Sequence, residues 1–222
     1  MTREELSAWF DHMRDVLETA YVSHTEPWRQ SGMSGPEDRW TALRKPVADC
    51  IDHDGSFLDI GCANGYLLEC CLRWTAERGT RIEPYGLDLS ARLVELAKKR
   101  LPQYAERFVV GNAFEWIPPM RFDFVRTELV YVPGDHEKEY VDFLLAHYVK
   151  PGGRLLIANY MEGHPTPEIG LMPESYPARN ILERLDTLGF TPVGAAVPWE
   201  DGFDPVKSRR VRIAILERSL SC

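Results

Sequence analysis

The chain has 222 residues, 44% apolar and 27% charged, and a formal net charge of −8. This composition is typical of a globular protein with a sizeable core, and there is no run of about 18 apolar residues that would predict a membrane span. Nucleic acid and acidic membranes are poor partners for an acidic chain whose one basic cluster, residues 207–210, is short. The polar, acidic N-terminus does not resemble a secretory signal, so we expect a cytoplasmic protein.

The five cysteines indicate neither a disulfide framework nor a zinc site. Their number is odd and no CxxC pair occurs. We therefore expect buried, reduced thiols and no bound metal. The residues are Cys50, Cys62, Cys70, Cys71 and Cys222.

Two helices are predicted before the first strand. Apolar residues at helical spacing predict a helix over 3–20, and the turn formers of 21–36 predict a loop. Ser34 and Glu37 fit a capping box for a second helix over about 36–52.

From residue 57 onward, strand-like runs alternate with helical runs. The predicted strands are 57–60, 82–87, 108–110, 122–125, 154–158, 191–197 and 211–216. The predicted helices between them are 64–77, 90–100, 135–149 and 179–188. Such alternation predicts a parallel sheet with helices on both faces.

The last two predicted strands have no helix between them, so we expect them to pair antiparallel at one edge of the sheet. The predicted fold class is α/β, with a doubly wound, mostly parallel seven-stranded sheet, an antiparallel C-terminal edge strand and N-terminal helices. We expect one domain over 1–222, in which a helical attachment, 1–52, precedes the core, 53–218.

The stretch FLDIGCANGYL, residues 57–67, joins the first predicted strand to a helix. It does not carry the dinucleotide fingerprint GxGxxG, because the third glycine position is Tyr66. The pattern that fits is Asp59, Gly61 and Gly65, a backbone turn beside a carboxylate. A carboxylate there suits a ligand with a positive charge.

The next two strand ends offer groups that suit a nucleoside. Asp88 ends the second strand, where an acid can accept ribose hydroxyls. Asn112 and Phe114 follow the third strand, and an amide beside an aromatic ring suits an adenine edge and face. Asp59, Asp88 and Asn112 can also serve only as local turn or cap residues. Taken in order, the three strand ends predict a nucleoside with a cationic tail.

Five segments together resemble the motifs of class I S-adenosylmethionine-dependent methyltransferases of the small, single-domain, small-molecule type. They are FLDIGCANG, YGLDLS, VVGNAF, FDFVRTELVYV and HYVKPGGRLLIANY, and the resemblance covers about residues 40–218. It implies a Rossmann-like fold, methyltransferase activity and S-adenosyl-L-methionine as the cofactor. Ala63 replaces the commoner middle glycine of the first motif.

The same resemblance implies the cofactor contacts. The 61–65 backbone would hold the methionine part, Asp88 the ribose and Asn112 the adenine edge, while Arg126 and Thr127 would lie near the sulfonium. The full set of implied contacts is Asp59, Gly61, Cys62, Ala63, Gly65, Asp88, Leu89, Asn112, Ala113, Arg126 and Thr127.

Methyl transfer from a sulfonium is an in-line displacement, in which alignment supplies much of the acceleration. A base is needed where the acceptor loses a proton. Glu128 and Tyr131 follow the fourth strand and are the catalytic candidates, with Glu128 first. Further candidates are Tyr21, His24, His136 and His164.

The acceptor is expected to be a small molecule, and the acidic balance with aromatic loops favours a neutral or cationic one. The 1–36 segment is expected to cover the cofactor. Two alternatives stay open: a non-catalytic S-adenosylmethionine-binding subunit, and a propylamine transferase that uses the decarboxylated cofactor. A macromolecular acceptor is a further option, disfavoured for RNA by charge. The sequence does not choose between a monomer and a homodimer.

Overall fold

The computed structural model describes residues 1–32, 35–162, 180–199 and 202–220. Its α-helices are α1 (Arg3–Val22), α2 (Glu37–Asp49), α3 (Tyr66–Ala76), α4 (Ala91–Arg100), α5 (Glu137–His147) and α6 (Ile181–Thr187). Its strands are β1 (Gly55–Ile60), β2 (Ile82–Asp88), β3 (Phe108–Val110), β4 (Phe122–Thr127), β5 (Val149–Glu162), β6 (Gly194–Ala196), β7 (Phe203–Asp204) and β8 (Arg209–Glu217). Short 3-10 turns cover Arg29–Ser31, Pro102–Arg107 and Leu129–Tyr131.

The strands form one sheet in the order β3-β2-β1-β4-β5-β8-β6, and β7 pairs with the N-terminal end of β8. Strands β1 to β5 are parallel, whereas β8 is antiparallel to both β5 and β6. The order reverses between β1 and β4. In doubly wound sheets, ligands bind beyond the carboxyl ends of the strands at such a switch point.

This architecture confirms the predicted fold class and differs from the prediction at its C-terminal edge. The last strand pairs antiparallel with its predecessor as expected, but β8 lies between β5 and β6 instead of at the edge. The burial of β8 gives the reason. Val211, Ile213 and Ala214 are fully buried, so the strand needs neighbours on both sides. The sheet has eight strands where seven were predicted, and the additional one is the two-residue β7.

Strand β5 also begins earlier than predicted, because Pro151, Gly152 and Gly153 lie inside it instead of before it. The pairing with β4 runs from Phe122↔Val149 to Phe124↔Arg154, which is a register shift. A Cβ atom at Gly153 would lie 2.8 Å from the Asp123 carbonyl oxygen, so the irregularity needs glycine there. The Lys-Pro-Gly-Gly segment therefore forms a bulge in the strand.

The helices begin and end close to their predicted positions. Thr2 and Glu5 form a capping box at the start of α1. For α2, the predicted capping residue Ser34 lies outside the described residues, and the helix begins after Pro36 without a side-chain cap. None of the described helices is long and apolar enough to cross a membrane.

The sheet separates two apolar layers. On one face, Phe57, Phe124 and Leu156 pack against α2 and α3. On the other face, Leu58 and Val125 pack with residues of α1, α5 and α6. Because neighbouring strand residues point to opposite faces, the side chain of each site residue belongs to one layer or the other. Four cysteines are buried free thiols, as predicted, and Cys222 lies outside the described residues; the four are Cys50, Cys62, Cys70 and Cys71.

Candidate active site at the carboxyl ends of the first and fourth strands

The glycine loop after β1 contains three residues in the left-handed region. Gly61, Ala63 and Gly65 have φ angles of 71°, 47° and 74°. Alanine in this conformation costs roughly 1–2 kcal/mol, so the loop is held against a local strain. A Cβ atom at Gly65 would lie 3.0 Å from the Ala97 Cβ atom, which shows that Gly65 lets α3 pack closely against α4.

Asp88 closes this loop from the end of β2. One carboxylate oxygen accepts a hydrogen bond from the Ala63 N–H at 2.8 Å and the other accepts from the Ser90 N–H at 2.9 Å. Burial raises the pKa of Asp88, while the two backbone hydrogen bonds act in the opposite direction. Each carboxylate oxygen can accept a further hydrogen bond. Asp88 can therefore act as a cap and still bind hydroxyl groups.

Asp59 pairs with Arg126 across the switch point. The register of β1 and β4 sets these residues side by side, and the Asp59 Oδ1 atom lies 3.3 Å from the Arg126 Nη1 atom. Their exposed fractions are 1% and 3%. Burial raises the pKa of Asp59 to about 7, although the guanidinium of Arg126 opposes this shift. The ion pair thus occupies a position where a negative charge is costly.

The two predicted catalytic residues meet at this ion pair. Arg126 also pairs with the Glu128 carboxylate. The Tyr131 hydroxyl accepts from Arg126 Nη1 at 2.9 Å and donates to Glu128 Oε1 at 3.0 Å. A Cβ atom at Gly61 would lie 2.6 Å from the Tyr131 ring, so the tyrosine packs directly on the glycine loop. Burial raises the pKa of Tyr131 well above its ordinary value, which keeps the phenol protonated at neutral pH.

Several predicted cofactor residues are oriented away from this cluster. Thr127 is fully buried on the opposite face of the sheet, where its hydroxyl lies 2.7 Å from the Tyr140 hydroxyl. The Cys62 side chain is buried against Gly86, so Cys62 can offer a ligand only its backbone. We therefore omit the Thr127 and Cys62 side chains from the proposed cofactor contacts.

The predicted adenine contacts are local structural groups in this conformation. The Asn112 side-chain oxygen accepts from the Phe114 N–H at 3.0 Å and closes a turn. Ala113 is buried, and its carbonyl oxygen accepts from the Tyr148 hydroxyl at 3.1 Å. Leu89 packs, partly buried, at the edge of the second core layer. The Asn112 side chain has amide donors besides the oxygen that closes the turn.

The N-terminal segment lies over the same edge of the sheet. Glu18 of α1 accepts from the Ser90 hydroxyl at 2.6 Å, beside Asp88. The Asn64 amide of the glycine loop donates to the Pro27 carbonyl and to the Gln30 side chain, each at 3.0 Å. These bonds tie the N-terminal helix and its loop to the tips of β1 and β2.

The remaining base candidates are less well placed. His136 precedes α5, where its ring nitrogen lies 3.2 Å from a Glu139 carboxylate oxygen on the same helix. His24 lies in the N-terminal loop, and His164 lies outside the described residues. Tyr21 faces the cluster, because the charges of Glu128 and Asp88 contribute, after burial, to raising its pKa to about 12.

Sequence reasoning missed Arg44 and Tyr160. The Arg44 guanidinium carbon lies 3.5 Å from the centroid of the Tyr160 ring, beside Arg126. The signal was present in the helical spacing: Arg44 follows Trp40 by four residues and precedes Val47 by three, which puts it on the buried stripe of α2.

Comparison with known proteins identifies the class. A family model described as "Methyltransferase domain" matches residues 57–153. N-methyltransferase NodS from Bradyrhizobium japonicum WM9, solved with S-adenosyl-L-homocysteine, is similar with a TM-score of 0.66 and 15% identity over 93% of this chain and 98% of NodS. The 1,6-didemethyltoxoflavin-N1-methyltransferase of Burkholderia thailandensis has a TM-score of 0.65 and 16% identity over 99% of this chain and 91% of that enzyme.

The [4+2]-cyclase SpnF is similar to the same extent, with a TM-score of 0.63 and 15% identity over 97% of this chain and 95% of the cyclase. At these identities the structural similarity establishes the fold and does not by itself fix the chemistry. The matched family model and the fold together confirm the resemblance to class I methyltransferases. Residues 57–153 match a methyltransferase domain, and the methyl donor of such enzymes is S-adenosyl-L-methionine.

Proposed function

We propose that this protein transfers the methyl group of S-adenosylmethionine to a small-molecule acceptor, with Glu128 beside the transferred methyl. The observation that carries the proposal is the hydrogen-bonded cluster of Arg126, Glu128 and Tyr131, in which the tyrosine ring packs directly on Gly61 of the glycine loop. In this arrangement the loop that would hold the methyl donor and the candidate base are adjacent.

The residues present fit the cofactor. Gly61 and Gly65 provide a backbone without side chains, and Asp88 keeps acceptor capacity for two hydroxyl groups at the tip of the neighbouring strand. When bound, the cofactor supplies an electrophilic methyl group on a sulfonium. Asp59 and Glu128 add negative charge near the loop, which favours a cationic ligand.

Glu128 is held in place for proton transfer. Its side chain is 17% exposed, whereas that of Arg126 is 4% exposed, so Glu128 is the more accessible member of this ion pair. Arg126 and the protonated Tyr131 each bind the Glu128 carboxylate and fix its orientation. An acceptor N–H or O–H bound there would donate to Glu128 while its heteroatom attacks in line.

The N-terminal segment completes the site. Because Glu18 binds Ser90 and Gln30 binds Asn64, α1 and the following loop would exclude water from the bound cofactor. The α2 residues Trp40 and Val47 also share one apolar layer with Phe57 of β1. This packing supports our proposal that residues 1–52 belong to the same domain as the core.

The test is ligand binding followed by turnover. Calorimetry with S-adenosylmethionine, S-adenosylhomocysteine, decarboxylated S-adenosylmethionine and NAD should rank the first two as the tightest ligands. Transfer of labelled methyl to a metabolite panel of amines, hydroxy compounds and acids should then give a methylated product.

Two results would contradict the proposal. Tight binding of S-adenosylmethionine without transfer to any panel member would favour the non-catalytic subunit. Consumption of the decarboxylated compound with release of methylthioadenosine would favour propylamine transfer.

A further inference from the structure

Arg44 is a buried arginine that has no counter-ion among the residues that the structure describes. It is 6% exposed, and it makes no hydrogen bond or ion pair with the residues that the structure describes. Its guanidinium carbon lies 3.5 Å from the centroid of the Tyr160 ring, and its Nη1 atom is buried without a partner. Stacking on a ring face offsets part of the cost of burying this charge.

The groups around Arg44 do not neutralise it. Glu128, the acid whose charge acts with that of Arg44 on Tyr21 and Tyr160, is bound by Arg126. Tyr160 is 5% exposed, and its hydroxyl is buried without a partner among the described residues. One guanidinium charge and one phenol donor thus remain unsatisfied side by side, and buried groups of this kind are costly unless a ligand pairs with them.

The chemistry of the pair selects a carboxylate. A guanidinium that stacks on an aromatic ring keeps its N–H edge available, and that edge matches a planar carboxylate with two parallel hydrogen bonds. A neighbouring phenol hydroxyl can donate to the same group. We propose that Arg44 and the Tyr160 hydroxyl bind a carboxylate of the methyl acceptor, a specificity site that rests on the proposed function. This assigns an acidic acceptor, in place of the neutral or cationic one expected from composition.

The position of the pair favours the acceptor over the cofactor's own carboxylate. Tyr160 lies near the end of β5, and β4 separates β5 from β1, which carries the glycine loop. With neighbouring strands roughly 5 Å apart, the backbones of β5 and β1 lie on the order of 10 Å apart. Between them, Arg126 donates to the Ile60 carbonyl and lies 5.8 Å from the centroid of the Tyr160 ring. Glu128 follows β4 and therefore lies between the two.

Arg44 would bind the acceptor and take no part in the bond changes of methyl transfer. The bond between sulfur and methyl breaks with its electron pair left on sulfur, and a nitrogen or oxygen of the acceptor forms the new bond to methyl. A proton released by the acceptor passes to Glu128 or to water. Since Arg44 contacts a carboxylate and takes no part in bond making, its loss should raise the acceptor KM more than it lowers kcat.

The test uses the full chain saturated with S-adenosylhomocysteine and three matched pairs of probes. The pairs are benzoate with benzamide, phenylacetate with phenylacetamide, and butyrate with butyramide, at constant ionic strength. Calorimetry should detect binding of at least one of the three acids and of none of the three amides. Arg44→Met should weaken that acid about 10- to 100-fold, in the range of a charged hydrogen bond. Lys45→Met, which removes an exposed charge from the next position of α2, should leave it unchanged.

Tyr160→Phe provides a second variant, because it removes an unpaired hydroxyl and should leave the melting temperature unchanged or raised. It should weaken the same acid several-fold. The affinity for S-adenosylmethionine should be the same in the wild type and in Arg44→Met. The affinity for the decarboxylated analogue should likewise be the same in both proteins.

Three results would overturn the assignment. The first is that no acid binds the wild type, and the second is that acid and amide bind alike. The third is that Arg44→Met weakens S-adenosylmethionine but not the decarboxylated analogue, which would assign Arg44 to the cofactor carboxylate. If the wild type bound neither S-adenosylmethionine nor S-adenosylhomocysteine, the proposed function itself would fail, a distinct outcome.

Discussion

The two halves of the carboxyl edge differ in how their polar groups are satisfied. At the tip of β2, Asp88 accepts from two backbone N–H groups and Ser90 donates to Glu18. Near the end of β5, Tyr160 and Arg44 of α2, which stacks on its ring, keep buried polar atoms without partners among the described residues. The first half is complete without a ligand and can bind one through spare acceptor capacity. The second half lacks partners for these atoms among the described residues, and we propose that a carboxylate of the acceptor supplies them, so acceptor selectivity should come from this half.

The largest effect is expected from Glu128, where the two halves meet. Glu128→Gln removes the proposed base but keeps the size of the side chain. Turnover should fall about 10²- to 10⁴-fold, the usual contribution of a general base. The dissociation constant of S-adenosylmethionine should stay within about twofold. The matched control is Glu139→Gln, the same change at an exposed position of α5. Unchanged turnover in Glu128→Gln would remove Glu128 from the mechanism.

The pH dependence of stability tests the buried ion pair. Burial raises the pKa of Asp59 from 3.8 to about 7, so between these values the folded state holds a proton that the unfolded state has released. The free energy of unfolding should therefore fall as pH rises from about 4 to about 7, by on the order of a few kcal/mol, and then level off. Urea unfolding across this range measures it. Asp59→Asn should flatten the slope, and an equally steep slope in the variant would assign the effect to other groups.

Asp88 tests the half that is satisfied without a ligand. Asp88→Ala should weaken S-adenosylmethionine binding about 10- to 100-fold, since hydrogen bonds to a charged group contribute about 1.5–3 kcal/mol. The variant should also be less stable, because the Ala63 and Ser90 N–H groups lose their acceptor. Calorimetry and thermal unfolding separate the two effects. Glu83→Gln, at an exposed position of the same strand, should change neither.

The smallest effect is expected from Thr127, which sequence resemblance assigned to the cofactor. Thr127→Val should lower the free energy of unfolding by about 1–2 kcal/mol, because the Tyr140 hydroxyl loses its partner. Cofactor affinity should not change. Combining it with Tyr140→Phe should cost less than the sum of the single changes. A loss of S-adenosylmethionine binding in Thr127→Val would instead return this residue to the site.

The sequence predicted most of the elements, because apolar periodicity and turn residues act locally. It did not predict the position of β8 between β5 and β6, since which strands become neighbours depends on long-range packing. The alternation of side chains along β4 does predict that Arg126 and Thr127 point to opposite faces of the sheet, so their side chains do not both face the sulfonium. Arg44 could likewise be placed on the buried face of α2, but its missing counter-ion appears only once Tyr160, far along the chain, is beside it.

Other expectations from the sequence stay predictions. The cytoplasmic location and the choice between monomer and homodimer depend on partners and surroundings that folding of this chain does not determine, and the small-molecule acceptor stays a proposal. The cofactor contacts of Asp59, Asn112, Ala113 and Leu89 also stay predictions, because each of these groups has a structural role that it can fill without a ligand.

The docking of α1 has a consequence for synthesis. Phe10 packs against Phe114 with ring centroids 6.4 Å apart, and Glu18 binds Ser90. Helix α1 can therefore dock only after these residues, which follow it far along the chain, have been translated. Until these residues have left the ribosome, the apolar stripe of α1 has no sheet to pack against. Chaperones that bind nascent chains should recognise this stripe, and α1 should dock as one of the late events of folding.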